Sequence, residues 1–398
     1  MAAVASTVVA EMKKKQCNAA VGMKSLFDMI HEGPHKLMLF GAACTQVTDP
    51  IAKASKHWRL TQLSYADTHP MFTNDNFPNF FRIVPSENAF NPPRLKLLQE
   101  FNWTRVGTIY QNEPRYSLFF HFLFPYTLFP GISDSDSSGS TFADCTSTCT
   151  LVVNGVFKLS VELDEKLQQE LEAHNRLVAD LDILGFHVVE TQSFANEVSS
   201  ALSKLKEKDV RIILGNFNES WAREIFCEAY KFGMYGRKYQ WLIMGTYSNN
   251  WWLDSVEFQN CSLEELSEAL EGCILTDLLP LSTNGEITIS GNTAEEYRLE
   301  YDNLRGGDYS RFHGYTYDGI WTMALAIQHV ALRIRHYRKN DTMKNFRYRD
   351  ELWEQLFLQA LKNTSFEGVT FDFNLIDLNG GRVNWGTEIS IKTEFWLK

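Results

Sequence analysis

From Thr104 onward the sequence alternates short β-branched runs with longer stretches of helical period. A strand followed by a helix-length connection rejoins its sheet in parallel, so this alternation constrains the fold more than any other feature of the chain. The expected strands are Arg105–Tyr110, Phe186–Thr191, Val210–Phe217 and Tyr239–Gly245, with helices at Val198–Lys206, Trp221–Phe232 and Leu263–Glu271. Ser262 with Glu265, and Thr293 with Glu296, stand in capping-box spacing. An earlier series has the same rhythm: strand Lys36–Phe40, helix Ile51–Trp58 with Asp49 as cap and Pro50 in its first turn, strand Leu60–Ser64 and helix Arg94–Phe101. The pattern predicts an α/β chain of two doubly wound parallel-sheet halves.

A long helix over Tyr317–Arg338 follows, with Ile320, Met323, Ile327, Val330 and Ile334 spaced for one buried face. After a helix at Glu351–Leu361, Val369–Phe373 and Arg382–Ile389 flank Asn379-Gly380-Gly381 and read as a closing hairpin. Residues 119–172 break the rhythm, with the aromatic run FFHFLFPYTLF, then DSDSSGS, then an Asn-Gly hairpin signal, and are expected to be an insertion. The helix Glu165–Leu184 presents Leu167, Leu171, Val178 and Leu181 on one face.

Charge and motifs narrow the function. A net charge of −11 without a basic stripe disfavours nucleic acid as a partner. The most apolar stretch, Leu118 to Ile132, is interrupted by Pro125 and Pro130, and spanning a bilayer takes roughly 20 apolar residues. No transmembrane helix is expected, and the N-terminus makes a poor signal peptide because its lysines follow the apolar run. His31-Glu32-Gly33-Pro34-His35 matches the letters of a zinc motif, but Gly33 and Pro34 break the helix that motif requires, so a turn is expected and no metal. There is no nucleophile elbow, P-loop or dinucleotide fingerprint, which leaves an enzyme and a bound cofactor both disfavoured. Sequons at Asn102, Asn218, Asn260, Asn340 and Asn363 are candidate glycosylation sites. Cys17 and Cys44, and Cys227 and Cys261, are placed to staple loops to sheet edges, with free buried thiols as the alternative.

Open α/β sheets bind ligands beyond the carboxyl ends of their strands. Those ends carry Thr45, Ser64, Tyr65, Thr68, Asn218, Thr246, Tyr247 and Trp251. Hydroxyls, an amide and aromatic rings suit a small polar solute and lack a nucleophile–base pair. Ordinary polar loops are the alternative for each residue.

The stretches Lys36–Gly41 (KLMLFG), Phe80–Asn91 (FFRIVPSENAFN), Trp103–Thr108 (WTRVGT), Asp209–Gly215 (DVRIILG), Lys238–Trp241 (KYQW) and Phe312–Trp321 (FHGYTYDGIW) resemble the ligand-binding domains of metabotropic GABA type B receptors, on the side of the second subunit type. The resemblance spans about 17–118 and 173–370. It implies a Venus-flytrap fold like the periplasmic amino-acid-binding proteins, on the extracellular face of the plasma membrane, in a glycosylated receptor. It also implies disulfides Cys17–Cys44 and Cys227–Cys261. Lobe 1 is then expected at 1–102 plus 309–366 and lobe 2 at 103–308 plus 367–398, with the insertion inside lobe 2.

In the agonist-binding subunit the cleft holds two serines and a histidine where this chain has Thr45, Thr68 and Val84. A tyrosine, a tryptophan and a glutamate fall at Asn218, Thr246 and about Phe312. An amino-acid zwitterion needs partners for both charges, and Val84 and Phe312 supply none. The resemblance therefore implies a non-agonist-binding partner that heterodimerises with subunit 1 through lobe-1 helices Ile51–Trp58 and Arg94–Phe101. Signalling to a G protein would need a membrane domain, which is expected to be absent from these residues. The family's signal peptide and first strand–helix–strand are also expected to be missing, and residues 119–172 interrupt one family helix, with Arg115–Leu118 continuing into Ala173–Leu184. A direct amino-acid-like ligand binder and a truncated non-signalling fragment are the rival readings.

Overall fold

The computed structural model describes residues 17–69, 71–111, 177–245, 247, 251–253, 261–307, 309–370 and 372–374. The described chain forms two compact units, one built from residues up to Ala89 and from Leu278 onward, the other from Phe90 to Asp277.

The second unit is a five-stranded, all-parallel sheet of β4 (Arg105–Gln111), β5 (His187–Phe194), β6 (Ile212–Asn216), β7 (Gln240–Met244) and β8 (Ile274–Thr276), in the order β5-β4-β6-β7-β8. Adjacent residues on a strand face opposite sides, so a sheet covered on both faces is apolar at every position. Trp241 and Ile243 pack on one side with α4 (Ser199–Glu207), α5 (Glu219–Lys231) and α6 (Leu263–Leu270). Leu242 and Leu214 pack on the other with α3 (Asn91–Glu100) and the helical turns at 177–183. Both expected capping boxes form, on α6 at Ser262–Glu265 and on α7 (Ala294–Leu304) at Thr293–Glu296.

The first unit carries the short parallel sheet β1 (Leu39–Phe40), β2 (Gln62–Ser64) and β3 (Phe80–Arg82), in that order. Around it stand α1 (Ala19–His31), α2 (Thr45–Ser55), α8 (His313–Tyr337) and α9 (Glu351–Lys362), whose buried side chains share one core with Leu63 and Phe81. Gly319 lets α8 approach the sheet, since a Cβ there would stand 2.7 Å from Phe40 and 2.8 Å from Ile83. The returning chain is fixed by Asp318 on α8. Its Oδ1 accepts Val369 N–H at 2.9 Å, and its Oδ2 accepts Thr370 N–H at 2.9 Å and the Thr370 hydroxyl at 2.6 Å. An antiparallel pair, β9 (Ser365–Glu367) and β10 (Asp372–Asn374), closes this segment.

Several expectations are corrected. Helix α2 begins at Thr45, not near Asp49, because Val47 N–H and Thr48 N–H both bond to Cys44 O and set the first turn upstream, leaving Pro50 inside the helix. On α8, Ile320 is 51% exposed; the buried line runs through Gly319, Met323, Ala326, Val330 and Ile334, and small residues on it are invisible to a search for large apolar ones. The units divide at 89/90 and 277/278, where the sequence reading put 102/103 and 308/309. Leu95, Leu97 and Leu98 on α3 pack with Val106 and Leu214 of the second sheet, which carries one of the two helices expected at a dimer face into the other unit. Val369 and Thr370 are held in the first unit by Asp318, where a boundary at 366/367 had placed them in lobe 2. The hairpin partner Arg382–Ile389 and the segment 119–172 lie outside the described residues.

Replacing Asp318 with Ala strips the acceptor from three buried donors, and we expect urea unfolding to show a loss of at least about 3 kcal/mol. Burial pushes the Asp318 carboxyl up to about 6 despite those hydrogen bonds. A carboxyl that binds its proton more tightly folded than unfolded contributes stability that is full below about pH 4 and lost as pH rises through the folded value. Wild-type stability relative to Asp318→Asn should therefore fall between pH 4 and 7; a constant difference would contradict this.

Candidate ligand-binding surfaces at the strand ends

In the first unit the carboxyl ends of β1 and β2 are tied together by Ser64. Its hydroxyl donates to Ala42 O at 2.7 Å and accepts Asp67 N–H at 3.1 Å. The Thr45 hydroxyl donates to Asp67 Oδ1 at 3.0 Å, which also accepts His69 N–H at 3.2 Å. The Thr68 hydroxyl donates to Glu87 Oε1 at 3.0 Å, while Glu87 N–H returns to Thr68 O at 2.8 Å. Arg82 at the end of β3 donates through Nη1 to His69 O at 2.6 Å. The Tyr65 ring stands 5.1 Å from that of Phe40. Val84 is buried, and Phe312 at the start of α8 packs against the same apolar core.

The charged members of this surface, Asp67, Arg82 and Glu87, escaped the sequence reading, which looked for hydroxyls and rings. Asp67 is 2% exposed and Arg82 7%. Burial raises the Asp67 carboxyl, partly offset by its hydrogen bonds, and pulls the Arg82 guanidinium down to about 10 against the opposing fields of Asp67 and Glu87. Asp67 Oδ2 and the Ser86 hydroxyl are buried without a hydrogen-bond partner. A signal was available, since a charged residue inside the apolar run FFRIV is costly to bury without opposite charge.

In the second unit the strand order reverses between β4 and β6, the switch point where open α/β sheets place ligands. Gln111, the last residue of β4, accepts Asn218 N–H through Oε1 at 2.9 Å across that point, and the Asn218 side chain caps α5 by accepting Trp221 N–H at 3.0 Å. The Phe194 ring stands 5.2 Å from that of Trp221. Gln111 and Trp221 were not anticipated. Tyr247 and Trp251 are buried, with the Tyr247 hydroxyl donating to Phe217 O at 2.7 Å, so both fill the core behind the surface. Thr246 lies outside the described residues. The structure therefore brings Thr45, Ser64, Tyr65 and Thr68 together in one unit and sets Asn218 in the other.

Disulfides join Cys17 to Cys44 and Cys227 to Cys261, with Cα separations of 6.1 and 5.7 Å, inside the range such bonds accept. Cys273 is a free thiol raised by burial, and Cys145 and Cys149 lie outside the described residues. His31 bonds Phe27 O through Nδ1 at 2.8 Å and the His35 ring packs on Tyr348, so the two histidines of the zinc-like letters serve separate structural contacts. Among the described residues no group of three or more His, Cys, Asp or Glu could hold a metal, and no helix is long and apolar enough to cross a membrane. Asn102, Asn218, Asn340 and Asn363 are exposed, and Asn260 lies outside the described residues.

Parallel sheets whose polar side chains gather beyond the carboxyl ends of the strands suit a binding region. Residues 4–122 and 145–390 match the receptor family ligand binding region. The chain belongs to this family. The family match passes over residues 123–144, inside the segment 119–172 set apart above. This receptor region is 35% identical over 89% of its length to the gamma-aminobutyric acid type B receptor subunit 2 of Homo sapiens, covering 32% of that protein. It is 30% identical over 90% of its length to the Caenorhabditis elegans subunit 2, and 28% identical over 93% to subunit 1 of Mus musculus. It spans about a third of the length of the curated relatives it matches. An ABC transporter substrate-binding protein from Desulfitobacterium hafniense shares the fold, with a TM-score of 0.55 at 12% identity over 92% of this chain and 80% of that one. The α/β class with parallel sheets, the periplasmic-binding-protein likeness and the non-enzymatic receptor reading thus stand as the sequence implied.

The buried charges should be coupled. Removing Arg82 alone leaves Asp67 facing burial without its counter-charge, so a double-mutant cycle on Arg82→Met and Asp67→Asn should show the double variant more stable than additivity predicts, by about 1 kcal/mol or more. Additive losses would mean that the two groups do not interact.

Proposed function

We propose that this receptor region is the extracellular ligand-binding part of a GABA type B-like receptor subunit of the second type, which acts by heterodimerising with an agonist-binding first subunit and raising that partner's affinity. Closure of its two units would carry the effect to a membrane domain and from there to a G protein. The observation that carries the reading is the apolar character of two positions: Val84 is 1% exposed and Phe312 packs on the same core. Neither can hold the carboxylate or ammonium of an amino acid, and leaving either charge buried and unpaired costs several kcal/mol, roughly, per group. The greater identity to subunit 2 than to subunit 1 supports the same assignment.

A second reading has one observation in its favour. Asp67 Oδ2 is a buried acceptor with no partner and lies in the field of Arg82, which would suit a small zwitterionic ligand bound directly.

Calorimetry separates the two. GABA titrated into the chain alone should give no saturable heat, whereas adding the chain to the ectodomain of an agonist-binding first subunit should tighten that subunit's GABA affinity several-fold. Saturable heat from the chain alone, abolished by Asp67→Ala, would establish the second reading instead. No effect in either experiment would remove both.

A further inference from the structure

The carboxyl ends of the strands are not the only chemically biased surface in the first unit. In a chain of net charge −11, residues 335–349 carry six basic side chains against the single acid Asp341. The segment is anchored at several points along its length. Arg335 lies in the last turn of α8, Arg338 is its C-cap, and Thr342 with Asn345 caps the short turn Met343–Asn345. Phe346 is buried among Trp353 and Phe357, and Tyr348 accepts Lys36 N–H through its hydroxyl at 2.8 Å. Arg349 N–H bonds to Trp58 O at 2.9 Å.

The nearby carboxylates are already engaged. Arg338 takes Asp350 through both terminal nitrogens, at 2.7 and 3.2 Å, and also meets Asp341 at 3.6 Å. Arg59 takes Glu354 at 3.2 Å and Glu351 at 3.5 Å. Arg335, Lys339, Lys344, Arg347 and Arg349 remain exposed and make no ion pair among the described residues. Folding gains nothing from gathering five unneutralised cations on anchored backbone, where like charges repel.

The patch is also remote from the ligand-competent strand ends. Gly319 abuts Phe40 at the end of β1, and Arg335 lies sixteen residues further along α8, about 24 Å at the rise of an α-helix.

We infer that this face of the first unit binds a sulfated glycosaminoglycan. Guanidinium forks pair bidentately with sulfate as with phosphate and carboxylate, and several exposed cations on one short segment suit a linear polyanion whose counterions are released on binding. The choice of a polysaccharide over other polyanions rests on the extracellular placement proposed above. The interaction with heparin does not depend on GABA or on the partner subunit, so the two proposals fail separately.

The test is retention of the folded chain on immobilised heparin over a sodium chloride gradient, with affinities from surface plasmon resonance at 0.15 M salt. The wild type should bind despite its net negative charge. The quadruple variant Arg335→Ala, Lys339→Ala, Lys344→Ala, Arg347→Ala, all at exposed positions, should bind at least tenfold more weakly with an unchanged circular dichroism spectrum. Lys204→Ala with Lys208→Ala, on α4 of the other unit and at its C-cap, should bind as the wild type does. Because Asn340 sits within the patch, Asn340→Gln is included, and it should bind heparin equally or more tightly. Equal retention of the quadruple variant and the wild type, or no wild-type binding at 0.15 M salt, would overturn the proposal. So would tighter binding to polyglutamate or to phosphatidylserine vesicles than to heparin, which would assign the face to an acidic protein or a membrane.

Discussion

The first unit is assembled from two pieces of chain far apart in sequence, and what makes that possible is a carboxylate with no access to water. Asp318 accepts three hydrogen bonds from Val369 and Thr370, and its burial is tolerable only because those donors are there. The same helix, α8, presents Gly319 to Phe40 and Ile83 one residue later. The adjacent pair thus docks both the amino-terminal sheet and the returning segment. Gly368 completes the fit, since a Cβ there would meet Asp318 Oδ2 at 2.5 Å. An Asp-Gly pair in the second turn of a long helix looks like a weakness in sequence and is the joint of the unit in structure.

The second unit solves the complementary problem with the opposite charge. Arg94 on α3 is 1% exposed and donates through Nε to the Thr276 hydroxyl at 3.0 Å and through Nη1 to Asn216 Oδ1 at 2.6 Å. Those acceptors close β8 and β6, so one guanidinium fixes the helix to two strands that are not neighbours in the sheet. Leucines 95, 97 and 98 supply the apolar part of the contact. Helix α3 therefore follows the sheet it packs on rather than the strand it follows in the chain.

Much of the fold was legible because the dominant signal is periodic. Strands β4 to β7 and helices α4 to α6 lie within one to three residues of where β-branched runs and apolar spacing put them, and the capping boxes at Ser262 and Thr293 mark the starts of α6 and α7. What escaped was set by tertiary contact. Strand β3 is three residues long and, among the described residues, pairs with β2 alone. The unit boundary at Phe90 depends on which sheet α3 covers, which no local pattern encodes. At the strand ends the expected hydroxyls serve the protein's own hydrogen bonds. Tyr247 and Trp251 fill the core, and the decisive charges at Asp67 and Arg82 belong to segments that read as a turn and an apolar run.

The hydroxyls that made the strand ends look receptive are already spent on the protein itself. Ser64 bonds Ala42 and Asp67, Thr45 bonds Asp67, and Thr68 bonds Glu87. A ligand acceptor that recruited the proton of any of them would first break an internal bond worth about 1 kcal/mol, and the group left behind would be a partly buried carboxylate or carbonyl with an unmet need. Threonine at 45 and 68 thus ties the loops down where a free hydroxyl would offer itself outward. The strand ends thus spend the hydroxyls of Thr45, Ser64 and Thr68 within the chain, and the polar capacity left over lies in Asp67 Oδ2 and the Ser86 hydroxyl, both buried.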